Sequence, residues 1–226
     1  GVGVATCVAA AVWLLGHAPE GMAGAGMFVS DRVVRWVKVL LLGLTAGTLV
    51  LSGGMRFTRH AGEYVALVLL GGLGMMLVVS VENLLMMFLS MELASLCLYG
   101  LAGFNKQDGR GTEAALKYFL FGGMSGAMLL FGLSLVYGAT GQLEFARISE
   151  STPGVASPLL LAGLVLAFAG FAFKVAAVPF HFWAPDAYEG APTAVAGFIG
   201  AGSKLASFFL LAKFTLMALG SQRGGA

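Results

Sequence analysis

Apolar residues run along this chain in long unbroken blocks, set apart by short polar or glycine-rich stretches. About 20 apolar residues cross a bilayer as a helix. A membrane β-barrel would read instead as short segments of alternating hydrophobicity. The blocks predict an all-α polytopic membrane protein with about seven crossings, at roughly 2–15, 32–51, 64–79, 82–104, 113–137, 158–178 and 193–218. Residues 64–104 are one apolar run. As a single helix it would span about 60 Å, twice the hydrocarbon core. A hairpin turn is therefore predicted at Ser80-Val81-Glu82-Asn83, with Glu82 solvated there.

The pattern is interrupted most sharply between Gly170 and Lys204, GFAFKVAAVPFHFWAPDAYEGAPTAVAGFIGAGSK. Pro179 cannot donate to the carbonyl of Val175, and its ring clashes there. A discontinuous helix over 158–190, broken at Pro179, is the expectation. Irregular backbone at membrane depth is tolerated only where it is buried in protein or lines a wet cavity. Transporters use such breaks to place ions. The resulting organisation puts two N-terminal helices and their linkers in 1–61, a five-helix unit in 62–219 and a tail in 220–226.

Composition agrees with this class. The 226 residues are 58% hydrophobic and 11% charged, against about 25% charged in a soluble domain. Mean hydropathy is +0.90. The 34 glycines suit closely packed membrane helices. A net charge of +2 gives no reason to expect nucleic acid. Cys7 and Cys97 lie in apolar segments and form neither a disulfide framework nor a metal pattern. The chain opens at Gly1 inside an apolar run and is expected to be a piece of a longer protein. Arg56, Arg59, Lys106 and Arg110 slightly favour their own side as cytoplasmic.

Few charges interrupt the apolar blocks, and each is a functional candidate by default. Glu92 sits mid-helix in LSMELASLCLY. The bland alternative is a neutral carboxyl satisfied by Ser90, Ser95 or a neighbouring helix. Lys174 lies beside the helix break, and the bland alternative is a snorkelling lysine with an ordinary proline stop. Lys204 lies well inside the last block, among Gly202, Ser203 and Ser207. Lys213 falls about 180° round the same helix and is assigned to the interface. Glu113 and Lys117 are spaced i, i+4, which fits a surface pair or the end of a proton path. His181 is either a relay, passing a proton between its two nitrogens, or an aromatic-packed residue. Asp186 and Glu189 read as solvated loop carboxylates. A buried ammonium is destabilised by desolvation and restored by a nearby carboxylate. Glu92 and Lys174 form the natural pair of this kind, with Lys204 as the next proton acceptor.

Three runs carry a resemblance: NLLMMFLSMELASLCLYGLAGF, EAALKYFLFGGMSGAMLLFGLSLVYGATG and FKVAAVPFHFWAPDAYEGAPT. The chain resembles the antiporter-like membrane subunits of respiratory complex I, in particular the subunit N family of bacterial NADH–quinone oxidoreductase. Mrp antiporters and membrane-bound hydrogenases have related subunits. The resemblance implies a proton-translocating bundle with inverted repeats, of which 62–219 would be the first. It implies roles in proton translocation for Glu92, Lys174 and Lys204, and possible relay positions at Lys117 and His181. It implies no cofactor or metal in this chain; NADH, FMN, iron–sulfur clusters and quinone belong to partner subunits. The implied partners are the other membrane subunits of the complex and the lipid bilayer, in the cell's inner (plasma) membrane. A cation/proton antiporter or a membrane-bound hydrogenase, without NADH chemistry, is the alternative.

Overall fold

The computed structural model describes residues 1–54, 60–151 and 157–220. Arg56, Arg59 and the tail from 221 on lie outside the described residues. Ten α-helices follow in order among them: α1 Val2–Gly16, α2 Arg32–Ser52, α3 Ala61–Ser80, α4 Leu84–Ala102, α5 Gly109–Thr140, α6 Phe145–Ser151, α7 Pro158–Val175, α8 Trp183–Gly190, α9 Thr193–Gly197 and α10 Lys204–Gly220. A π-helical segment, Phe198–Ser203, joins α9 to α10 without interruption.

Among the described residues, six spans are long and apolar enough to cross a membrane: α2, α3, α4, α5, α7 and Thr193–Leu216. The chain is a multi-pass membrane protein, an all-α bundle with a discontinuous helix. At 15 residues, α1 is shorter than the roughly 20 that a crossing takes.

The polar residues between the apolar blocks start the helices. Side chains of Asp31, Asn83, Asp108 and Ser157 accept backbone N–H bonds at the starts of α2, α4, α5 and α7. Each satisfies donors that a helix start leaves open. Pro158 occupies the first turn of α7, where its missing N–H costs nothing.

The linker 17–31 contains an element not anticipated from the pattern. Gly21–Ala23 (β1) pairs antiparallel with Phe28–Ser30 (β2). This hairpin docks on the α3–α4 corner, where Glu82 N–H donates to the Met27 carbonyl and Phe28 bridges Val81. Phe145 N–H donates to the Glu82 carbonyl, and Leu84 N–H to that of Leu143. The corner is thus tied from two sides. Glu82 is not a free solvated carboxylate. Its Oε1 lies 2.6 Å from Lys213 Nζ, which also donates to the Val81 carbonyl at 2.7 Å. Lys213 has an ion partner within the fold, so it need not reach for headgroups.

The break in the long helix begins earlier than Pro179. α7 ends at Val175, and Ala176 takes a left-handed conformation (φ 56°). Ala176 N–H donates to the Phe173 carbonyl and Ala177 N–H to that of Ala172. These are the two bonds of a Schellman cap. A proline at 179 bars helix through 175–179, and the chain leaves the helix as soon as a cap can close. Aromatic side chains fill the core beside the break. Trp183, Phe171, Phe198 and Phe214 are fully buried there.

Candidate functional site

Three elements bring Glu92, Lys174 and Lys204 together. On α4, Glu92, Ser95 and Tyr99 share one face, since positions three to four apart on a helix are neighbours. Lys174 projects from the last turn of α7 onto that face. Its side chain is 9% exposed. Its Nζ lies 3.4 Å from Glu92 Oε1, 2.6 Å from Ser95 Oγ and 3.4 Å from Tyr99 Oη. The ammonium also stands 5.8 Å from the Tyr99 ring centroid. A cation in the last turn of a helix faces the negative end of its dipole. Gly126 on α5 leaves room for the carboxylate, because a Cβ there would lie 3.1 Å from Glu92 Oε1.

Lys204 begins α10, directly after the π segment. π segments recur at functional sites because they displace the residues that follow around the helix axis. Lys204 Nζ donates to the backbone carbonyl of Lys174 at 3.3 Å. That carbonyl is freed by the end of α7 one residue later. The same ammonium lies 4.8 Å from the centroid of the Trp183 ring. A cavity of about 30 Å³ is lined by Ser95, Lys174, Tyr118, Trp183, Ser203 and Ser207, among others. It is large enough for a water molecule. It offers hydroxyl groups between α4 and the α10 region.

The other two candidates lie elsewhere. Lys117 is at the bundle boundary, with its side chain 39% exposed. Its Nζ bonds Glu113 at 2.8 Å and Asp186 at 3.0 Å. Asp186 therefore bridges α5 to α8, with its side chain still 44% exposed. Arg110 and Glu189 pair at 3.5 Å beside it, and these five side chains help line an open cavity of about 170 Å³. His181 sits in the turn between α7 and α8 and stacks on Phe182 at 4.8 Å. Its Nδ1 is buried without a hydrogen-bond partner among the described residues. α7 ends at Val175, so His181, seven residues after Lys174, does not share a helix face with it.

Sequence reasoning missed Tyr99, Trp183 and the Lys174 carbonyl, and gave Ser95 to Glu92 rather than to the lysine. Ser95 and Tyr99 had a readable signal, at three and seven residues after Glu92. Among the described residues, the Ser90 hydroxyl has no hydrogen-bond partner. Among the described residues, no group of His, Cys, Asp and Glu side chains could hold a metal ion.

The family profile described as NADH:quinone oxidoreductase/Mrp antiporter, TM matches residues 81–223. The chain is 47% identical over 210 residues to NADH-quinone oxidoreductase subunit N 2 of Acidobacterium capsulatum, covering 89% of this chain and 42% of that protein. It is 42% identical over 221 residues to subunit N 1 of Rhizobium meliloti, covering 96% and 46%. Its fold matches a chain of respiratory complex I from Thermus thermophilus with bound aureothin. That match has a TM-score of 0.81 and 37% identity over 93% of this chain and 46% of the other. A chain of an archaeal membrane-bound sulfane sulfur reductase shares the fold at TM-score 0.78 and 24% identity. The chain spans less than half the length of each of these relatives. Matched over most of its length, with Glu92, Lys174 and Lys204 all inside the matched region, the chain belongs to the NADH:quinone oxidoreductase/Mrp antiporter family of membrane proteins.

Proposed function

We propose that this chain carries part of the proton path of a subunit N of NADH–quinone oxidoreductase, in the cell's inner membrane. The observation that supports it is the helix break, at which buried Lys174, paired with half-buried Glu92, meets a second, half-buried lysine, Lys204. Glu92, 3.4 Å away, gives the Lys174 ammonium its counter-charge. When the carboxylate moves away or takes up a proton, the ammonium loses its counter-charge in a site of low dielectric. The N–H bond on Lys174 then breaks, and a new one forms on the neutral amine of Lys204. The small cavity, lined by Lys174 and by Ser203 next to Lys204 in the chain, would offer serine hydroxyls to that transfer. No electron changes hands in this step. Lys117, with Asp186 and Glu113, would exchange protons with water at the open end. His181, with its unpartnered Nδ1, would serve as a relay near the break.

NADH oxidation, flavin, iron–sulfur clusters and quinone chemistry would reside in partner subunits, and neighbouring membrane subunits would flank this one. Relatives named subunit N favour this reading over an Mrp-type cation/proton antiporter. The test is Lys174→Met in the full-length protein within its membrane assembly. Coupled proton movement is expected to vanish while insertion and assembly persist. Pumping at the normal rate in that variant overturns the reading.

A further inference from the structure

Trp183 links the two lysines. Its indole N–H donates to the Phe173 carbonyl at 3.0 Å, at the broken end of α7. Its ring lies 4.3 Å from that of Tyr118, parallel to within 2°. Tyr118 meets Tyr99 edge-on at 4.6 Å. Tyr99 in turn lies beneath the Lys174 ammonium, and the Trp183 ring beneath that of Lys204. Three aromatic rings in contact thus carry a lysine at each end. Trp183 is 2% exposed and packs also against Phe173 at 5.2 Å, so the ring is held from several sides.

Lys204 differs from Lys174 in its partners. Lys174 has a carboxylate; Lys204 has a neutral carbonyl and a ring face, and no ion pair among the described residues. A carboxylate at contact distance in a low-dielectric site would hold an ammonium tightly. An aromatic face and a carbonyl dipole attract the cation more weakly, with indole the strongest of the aromatic faces. We propose that Trp183 is a positioning residue for proton transfer. Its edge holds the broken end of α7 in place, and its face stabilises charged Lys204 instead of a carboxylate. Lys204 can then accept a proton and still release it. This inference rests on the proton-path reading above.

The test replaces Trp183 with a series of fluorinated tryptophans by nonsense suppression in the full-length protein within its membrane assembly. Fluorines drain the ring face of negative potential and barely change its shape. Proton flux in sealed vesicles is expected to fall stepwise with each fluorine. At tetrafluorination the loss is expected to be about tenfold, the factor that roughly 1.4 kcal/mol of lost cation–π attraction converts to. Assembly should stay constant through the series, and a packing role would give no such order. Lys204→Met is measured alongside. Flux lost in Lys204→Met but unchanged across the fluorinated series overturns the role of Trp183 and leaves the proton path standing. Flux retained in Lys204→Met overturns the path itself, and the inference with it.

Discussion

The backbone carbonyl of Lys174 accepts a hydrogen bond from Nζ of Lys204, at 3.3 Å. The two lysines are therefore coupled through main chain at the helix break. Lys204→Met removes the donor and leaves a half-buried carbonyl without a partner. Such a loss costs about 1–3 kcal/mol. The variant is expected to unfold in detergent at a temperature several degrees lower, besides losing proton flux. An unchanged unfolding temperature would show that water fully replaces the ammonium at that carbonyl.

Ser95 gives Lys174 its shortest contact, 2.6 Å, while its own hydroxyl proton goes to the Met91 carbonyl. Ser95→Ala keeps α4 helical, since alanine is the strongest helix former. It deletes one bond to a charged group, worth about 1.5–3 kcal/mol. Lys174 then leans more on Glu92. The expected result is normal assembly with proton flux several-fold lower. Ser95→Thr, which keeps the hydroxyl, should recover most of it.

The charged members of the site were legible because a charge in an apolar run stands out and is expensive to bury. That is how Glu92, Lys174 and Lys204 could be singled out. What joins them was not legible. Pro179 announces a break, but the cap at Ala176 fixes where the carbonyls come free, and no residue pattern marks an alanine for a left-handed turn. The π segment before Lys204 likewise displaces that lysine around its helix in a way that regular helical spacing cannot reveal. On local grounds Glu82 reads as a solvated turn residue and Lys213 as an interfacial one. Their contact depends on how α10 packs against the α3–α4 corner, which periodicity does not encode. The β1–β2 hairpin is too short and glycine-rich to show alternation.

The Glu82–Lys213 pair lies away from the path and is expected to act as a staple. Its side chains are 24% and 18% exposed, so solvent screens it only partly. Contacting pairs of this kind typically couple by about 0.5–3 kcal/mol. A double-mutant cycle of Glu82→Gln and Lys213→Met, read by thermal unfolding, should give a coupling inside that range. Proton flux in both single variants should stay near normal. Flux lost in both would instead place the pair on a proton route.

The contact between α5 and α7 sets the position of Lys174, and it depends on glycine. A Cβ at Gly163 would lie 2.9 Å from the Gly132 carbonyl oxygen and 2.9 Å from Val136 N. One at Gly132 would lie 2.7 Å from the Gly163 carbonyl oxygen. The obstacles are backbone atoms, which cannot rotate away as a side chain tip can. Overpacking in a well-filled interior costs about 1–3 kcal/mol, and here the helices must move apart to accept it. Gly163→Val is expected to lower the unfolding temperature strongly, and to weaken proton flux by drawing Lys174 away from Ser95. Gly123 on the same α5 has nothing among the described residues within 4 Å of its would-be Cβ. Gly123→Ala should be neutral or stabilising, because glycine inside a helix costs about 1 kcal/mol relative to alanine. Equal effects of the two substitutions would mean that glycine serves α5 and α7 through flexibility, and not through close approach.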